Sequence, residues 1–200
     1  MSIKKSIVCF GEVLWDVLPT HKVAGGAPMN VAFHANNFGM DAQMISAIGN
    51  DDLGEELIEF LHQRNIQTNL IHTNYTFPTS TVQVTLDSKG AASYEIVAPV
   101  AWDFLYVDDV RAKAVSSADL LLFGSLVCRN EHNLKSLLQL IENAKKVVFD
   151  VSQLSTIKEA LTRADLKDLI SSNVIARKRS NEASRVRARK IAKQKTKGLR

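Results

Sequence analysis

The amino-acid sequence predicts an α/β fold in which helices cover both faces of a mainly parallel sheet. Short apolar segments of strand length alternate along the chain with amphipathic segments of helical length, as in doubly wound sheets. One pair of segments with two-residue alternation interrupts this order, which indicates a hairpin outside the main sheet. The composition, 46% hydrophobic and 23% charged over 200 residues, is typical of a globular protein with one substantial core.

The first half of the chain is predicted to form three strands and two helices. The apolar run at residues 7–10 ends at Gly11, which is typical of a buried strand. Pro28 near the first turn and Gly39 just past the end indicate a helix at residues 29–38. The other elements of this half are a strand at 42–48, a helix at 53–64 and a strand at 69–72.

The hairpin and the return to strand–helix alternation define the second half. Residues 81–86 and 92–97 alternate between apolar and polar side chains, and the turn-forming segment 87–90 separates them. Strands and helices then alternate again, which returns the chain to the parallel sheet. The predicted elements are a helix at 108–117, a strand at 120–123, a helix at 131–144, a strand at 147–151 and a helix at 156–171.

Charge divides the chain into an acidic body and a basic tail. Residues 177–200 carry eleven Lys or Arg and one acid, Glu182, while the other 176 residues carry fourteen basic and twenty acidic side chains. We therefore predict a folded domain at 1–172 and a basic tail at 173–200 that is disordered or forms a frayed helix. Because the net charge of +4 averages these two parts, it says nothing about the ligand of the body.

Several classes of protein are disfavoured by the sequence. No window approaches about 18 consecutive apolar residues, and the N-terminus lacks the apolar stretch of a signal peptide, so we expect a cytoplasmic protein without a membrane span. The two cysteines, Cys9 and Cys128, lie in or beside apolar runs and are predicted to be buried thiols. The five histidines show no metal-ligand spacing, so we predict no structural metal.

A glycine pair before a predicted helix is the first candidate for a ligand site. Gly25 and Gly26 allow the backbone to approach an oxygen-rich or anionic ligand, although a tight turn before a helix would need the same glycines. Asp16 follows the first strand, at the carboxyl end where open α/β sheets bind ligands, and Asn30 lies a turn beyond the glycines. A carboxylate and an amide together suit the vicinal hydroxyls of a sugar, and Trp102 could pack on the apolar face of its ring.

Three motifs occur in the same order as in a known protein family. The segments 11–16, 25–32 and 48–54 resemble the N-terminal signature of the ribokinase/PfkB carbohydrate kinases. The segments 101–103 and 123–126 are similar to the fructokinase branch of that family. The resemblance extends from about residue 6 to Val151.

This resemblance implies a ribokinase-like, three-layer α/β/α parallel sheet with a small β lid, here at about residues 12–20 and 75–105. The sugar, a fructose-like ketose, would lie between lid and sheet, with its hydroxyls held by Asp16, Gly26 and Asn30. The resemblance also implies ATP and Mg as cofactors and a homodimer formed through the lid. Closure of the lid would exclude water, which would otherwise compete as acceptor.

One motif of the family is missing from the sequence. In these kinases an Asp in a Gly-Ala-Gly-Asp turn is the catalytic base, and the surrounding amides bind the transferred phosphoryl group. Here no glycine occurs between Gly124 and Gly198, so we expect no catalytic residue in this chain and a missing C-terminal part of the fold. We therefore expect an inactive, truncated or frameshifted form that does not bind ATP productively.

Two other functions stay open at this point. The basic tail could make the chain a nucleic-acid-binding protein, although the tail has no aromatic side chain to stack on bases. The chain could also be a sugar-binding module without catalysis. Loss of binding to a duplex when residues 177–200 are deleted would favour the first alternative, and a thermal shift with fructose would favour the second.

Overall fold

The computed structural model describes residues 4–86 and 92–150, and the architecture below refers to these residues. The strands are β1 Ser6–Phe10, β2 Leu14–Val17, β3 Lys22–Gly25, β4 Asp41–Gly49, β5 Ile71–Asn74, β6 Thr81–Leu86, β7 Ala92–Ile96, β8 Leu120–Gly124 and β9 Val147–Asp150. The helices are α1 Ala27–Asn37, α2 Asp52–Gln63, α3 Asp109–Ser117 and α4 Glu131–Asn143. Two short 3-10 helices, Ala101–Phe104 and Leu126–Cys128, lie in the connections.

Five parallel strands form the main sheet, in the order β5-β4-β1-β8-β9. Side chains alternate between its two faces, as the pleat requires. Val8 and Phe10 of β1 belong to the core cluster that includes residues of α3 and α4, whereas Ile7 and Cys9 belong to the cluster that includes residues of α1 and α2. The two clusters lie on opposite sides of the sheet, so the predicted three-layer α/β/α fold is confirmed.

The second sheet has four strands in the order β3-β2-β6-β7. β6 and β7 pair antiparallel, with Val82 opposite Ile96, which confirms the predicted hairpin. β2 pairs parallel with β6 and antiparallel with β3. This small sheet is where the resemblance placed a β lid, and Val23 and Tyr94 on it are 47% and 64% exposed. The homodimer through this sheet stays a prediction.

Several predicted boundaries differ from the structure. The strand predicted at 69–72 lies two residues later, at Ile71–Asn74. The glycine pair was predicted as a loop before a helix, but Gly25 is the last residue of β3, a strand that the sequence did not predict. β3 is too short for an apolar alternation and acquires its strand conformation by pairing with β2. The predicted turn at 87–90, the helix at 156–171, the domain boundary at 172 and the basic tail lie outside the described residues.

No helix in the two described ranges is both long and apolar enough to cross a membrane.

Candidate functional site

A cavity of about 260 Å³ lies between the carboxyl end of the main sheet and the second sheet. Its wall on the main-sheet side comes from the segment after β1, the start of α1 and the 3-10 helix after β8. Its opposite wall comes from strands β2, β6 and β7 of the second sheet. The lining residues are Glu12, Leu14, Asp16, Gly26, Ala27, Asn30, Val82, Tyr94, Ile96 and Leu126. The cavity therefore combines hydrogen-bonding groups near α1 with a largely apolar wall on the second sheet.

Three of the site residues predicted from the sequence line this cavity together. Asp16 lies on β2 and is half-buried, Gly26 is the N-cap of α1, and Asn30 lies exposed in the first turn of that helix. Burial raises the pKa of the Asp16 carboxyl above its ordinary value of 3.8. Within the described ranges, the Asp16 carboxylate accepts no hydrogen bond, so it is available to accept hydrogen bonds from the hydroxyl groups of a ligand.

Gly25 contributes to the site without lining the cavity. A Cβ at this position would lie 2.4 Å from Asp16 Oδ2 and 3.1 Å from Asp16 Cγ. The Asp16 carboxylate therefore rests against the bare backbone of β3. A side chain at Gly25 would displace that carboxylate.

Both the backbone angle and the surroundings of position 26 require a glycine there. Its φ is +117°, a backbone angle that residues with a side chain rarely adopt. A Cβ at this position would also lie 2.4 Å from the carbonyl oxygen of Glu12. The Gly26 carbonyl accepts the first helical hydrogen bond, from Asn30 N at 2.9 Å. The glycine thus fixes the direction in which α1 leaves the sheet and with it the position of Asn30.

Trp102 does not line the cavity. Its side chain is fully buried in the core cluster of the α3 and α4 face, and the guanidinium carbon of Arg129 lies 4.0 Å from the centre of its ring. The expectation that this ring packs on a sugar is therefore not supported by its position. Sequence alone cannot separate the two cases, because an indole suits a core as well as a sugar.

Glu12 lines the cavity but was not among the site residues predicted from the sequence. Its side chain is 2% exposed, and its Oε1 accepts a hydrogen bond from the Ala27 N–H at 3.1 Å. Burial raises the pKa of Glu12 to about 7, although hydrogen bonds from its own backbone N–H and from that of Ala27, and the charge of Arg129, act in the opposite direction. The signal available in the sequence was its place directly after a buried strand, four residues before Asp16.

The chain matches the family model of the pfkB family carbohydrate kinases over residues 3–197. This range includes the segments whose motifs resemble the family, from about residue 6 to Val151, and continues beyond them.

Individual relatives agree with the family match. An uncharacterised sugar kinase of Pyrococcus horikoshii is 33% identical over 143 residues, which are 70% of this chain and 46% of that protein. A fructokinase of Solanum tuberosum is 28% identical over 144 residues, or 63% of this chain and 45% of that protein. The chain therefore spans about half the length of the curated relatives it matches.

Solved structures show the same fold. The uncharacterised sugar kinase from Pyrococcus horikoshii in complex with ATP superimposes with a TM-score of 0.69 at 27% identity, covering 82% of this chain and 58% of that one. A fructokinase variant from Vibrio cholerae, bound to fructose, ADP and potassium ion, has a TM-score of 0.63 at 22% identity and covers 80% and 56% of the two chains. With this agreement of fold and a family match over nearly all of its residues, the chain belongs to the pfkB family of carbohydrate kinases.

Proposed function

We propose that this chain binds a fructose-like ketose in the cavity between the two sheets and represents the acceptor-binding part of a sugar kinase. The observation that carries the proposal is that the structure brings Asp16, Gly26 and Asn30 to one cavity. These are the residues that match the sugar-binding positions of the family. Fructose is favoured over other sugars because the similar proteins include fructokinases and because segments 101–103 and 123–126 resemble that branch.

The chemistry of the cavity suits a polyhydroxy ligand. The Asp16 carboxylate accepts hydrogen bonds, and the Asn30 amide both accepts and donates them. Leu14, Val82 and Ile96 on the second sheet offer an apolar surface to the carbon face of a sugar ring. At about 260 Å³ the cavity is slightly smaller than the roughly 300–1,000 Å³ of drug-sized sites, as suits a single monosaccharide.

For the phosphoryl donor we propose ATP, because the sugar kinase of Pyrococcus horikoshii was solved in complex with it. A second cavity, of about 300 Å³, is lined by residues at the opposite, amino-terminal ends of β1 and β4 and by α3. Over residues 4–86 and 92–150, no three His, Cys, Asp or Glu side chains are grouped so that they could hold a metal ion.

We further propose that the 200-residue chain does not turn over by itself. The Gly-x-Gly-Asp turn that supplies the base and the anion hole in this family cannot occur between Gly124 and Gly198, since no glycine lies between them. Removing one well-placed oxyanion donor already costs about a hundredfold in rate. The chain thus retains ligand binding without the groups that catalyse transfer.

Binding of fructose, measured by isothermal titration calorimetry, tests the proposal. We expect Asp16→Asn to weaken binding by at least about tenfold, because a charged acceptor is replaced by a neutral one. The matched control is Asp109→Asn, an exposed aspartate on α3 outside the cavity. Circular dichroism verifies that both variants are folded.

Two results would contradict these statements. Absence of fructose binding by the folded wild type, or equal binding by Asp16→Asn and wild type, would reject the sugar site. ATP-dependent release of ADP with fructose, seen with purified chain and absent in Asp16→Asn, would reject the proposed lack of turnover.

A further inference from the structure

Glu12 has one carboxylate oxygen that the protein leaves without a partner. The carboxylate is buried, and its Oε1 accepts from the Ala27 N–H, while Oε2 is buried and has no hydrogen-bond partner in the part of the chain that the structure describes. Leaving a buried acceptor unsatisfied costs about 1–3 kcal/mol, more for a charged group. Native proteins keep few such atoms, and those they keep call for an explanation.

The surroundings of Glu12 indicate what kind of partner is missing. Glu12 lines the same cavity as Asp16 and Asn30, and the Ala27 amide that it anchors opens the helix on which Asn30 lies. The backbone of Glu12 also packs closely against the start of this helix, since its carbonyl oxygen lies 2.4 Å from the position that a Cβ on Gly26 would take. The cavity is thus lined by a residue whose carboxylate is held in place through Oε1 and keeps a buried acceptor, Oε2, without a hydrogen-bond partner among the described residues.

Resting on the function proposed above, we propose that Glu12 is a second carboxylate of the sugar site: its Oε1 fixes the start of α1, and its Oε2 accepts a hydrogen bond from a hydroxyl group of the bound ketose. The ligand class is the same as that proposed for Asp16. The two carboxylates belong to opposite walls of the cavity, Glu12 to the main sheet and Asp16 to the second sheet. A sugar held by both would connect the two sheets.

This arrangement makes sugar binding depend on pH. The charged groups around Glu12 are Arg129, which favours its carboxylate form, and Asp150 at the end of β9, which disfavours it, while Asp16 shares the cavity. The neighbouring Cys128 thiol, whose pKa burial raises to about 12, stays neutral near pH 7. Because the effect of burial outweighs the other effects, the pKa of Glu12 lies near 7. In the protein without bound sugar, Glu12 is therefore partly protonated at neutral pH.

The direction of the effect follows from linkage. A hydroxyl group that donates to Oε2 favours the charged form, so sugar binding lowers the pKa of Glu12 and releases a proton. Affinity therefore increases as pH rises through 7. If the sugar binds only the carboxylate form, the increase between pH 6 and pH 8 is about tenfold for a pKa of about 7.

Calorimetric titration of the full chain with fructose at pH 6 and pH 8 tests the inference. The variants are Glu12→Gln, which keeps the shape and the acceptor for Ala27, and Glu142→Gln, an exposed control on α4. We expect about tenfold tighter binding at pH 8 for the wild type and for Glu142→Gln. For Glu12→Gln we expect no dependence on pH and about tenfold weaker binding than the wild type at pH 8. Titrations of the wild type at pH 7 in two buffers of different ionisation enthalpy measure the released proton without any variant.

The outcomes separate this inference from the proposed function. A wild type that binds no fructose at either pH rejects both. A wild type that binds fructose equally at pH 6 and pH 8, without proton release, rejects only the role of Glu12. The same holds if folded Glu12→Gln keeps the pH dependence of the wild type. If Glu12→Gln does not fold, the pH dependence and the proton release of the wild type decide.

Discussion

At the scale of single residues, the position of the Asp16 carboxylate depends on the absence of a side chain at Gly25. Gly25 has no side chain, and the carboxylate occupies the space next to its Cα, 2.4 Å from where a Cβ would be. The carboxylate is the mobile end of a side chain, so an added methyl group would rotate it away rather than disrupt β3. If the cavity binds sugar as proposed, its affinity should therefore depend on Gly25, a residue that does not line the cavity.

We expect Gly25→Ala to weaken fructose binding by about tenfold, as the loss of a charge-assisted hydrogen bond does, while the free energy of unfolding changes by less than about 1 kcal/mol. Calorimetric titration and urea unfolding measure the two quantities. Gly39→Ala is the control, since a Cβ there meets nothing within 4 Å and only the positive φ of 84° is strained. It should lose about 1 kcal/mol of stability and keep its affinity. Unchanged affinity in Gly25→Ala would show that Asp16 does not need this space.

At the scale of elements, Asp51 joins helix α2 to the strand that begins the hairpin. As N-cap it accepts a hydrogen bond from Gly54 N at 2.8 Å, and it also accepts from the backbone N–H and the hydroxyl of Thr79, at 2.8 and 2.6 Å. Partial burial acts to raise the pKa of Asp51, but these hydrogen bonds outweigh it and hold the pKa below its ordinary value of 3.8. The cap thus also links α2 to the segment that leads into β6.

We expect Asp51→Ala to lower the free energy of unfolding by about 2 kcal/mol at neutral pH, because a cap and the hydrogen bonds to Thr79 are lost together. Asp52→Ala, one residue further and exposed, should cost less than about 0.5 kcal/mol. Since the folded pKa of Asp51 is depressed, its contribution is present above pH 3.8 and is lost as pH falls below that value. Urea unfolding at pH 7 and pH 3 measures this contribution. An equal difference in the free energy of unfolding between wild type and Asp51→Ala at the two pH values would contradict the prediction.

The elements that sequence predicted are those with a strong local pattern. Helix α2 has an acidic cap and an apolar face, and the β6–β7 hairpin alternates, so both were predicted within a few residues. Strand β3 was not predicted, because four residues carry no periodicity and their conformation comes from the long-range pairing with β2. Local sequence cannot contain that information.

The prediction of site residues is limited in the same way, because local sequence does not contain long-range packing. Asp16, Gly26 and Asn30 were predicted because they belong to motifs of fixed spacing. Glu12 was not predicted and Trp102 was predicted at the sugar, whereas the structure shows a buried acid with an unpartnered oxygen at the cavity and a core side chain outside it. Burial results from how distant segments pack, which a single sequence shows only indirectly.

At the scale of the whole molecule, Arg129 joins three parts of the fold. Its Nε donates to Asp103 Oδ1 at 2.6 Å, its Nη2 donates to Asp103 Oδ2 and, at 3.2 Å, to the Val97 carbonyl, and its guanidinium group covers the Trp102 ring. Val97 follows the last strand of the second sheet, Asp103 lies in the 3-10 helix Ala101–Phe104, and Arg129 follows β8 of the main sheet. The side chain of Asp103 is 4% exposed and that of Arg129 17%, so water screens this ion pair weakly.

We expect Arg129→Met to lower the free energy of unfolding by about 3 kcal/mol, because the Asp103 carboxylate would stay buried without its counter-charge. The control is Lys135→Met, which breaks the exposed pair with Glu131, whose side chains are 77% and 91% exposed, and should cost less than about 0.5 kcal/mol. Urea unfolding followed by circular dichroism gives both values. The second sheet should also be held less firmly in Arg129→Met, so hydrogen exchange of the β6 and β7 amides should speed up relative to Lys135→Met. Equal stability of the two variants would show that the contact with Asp103 does not hold the two sheets together.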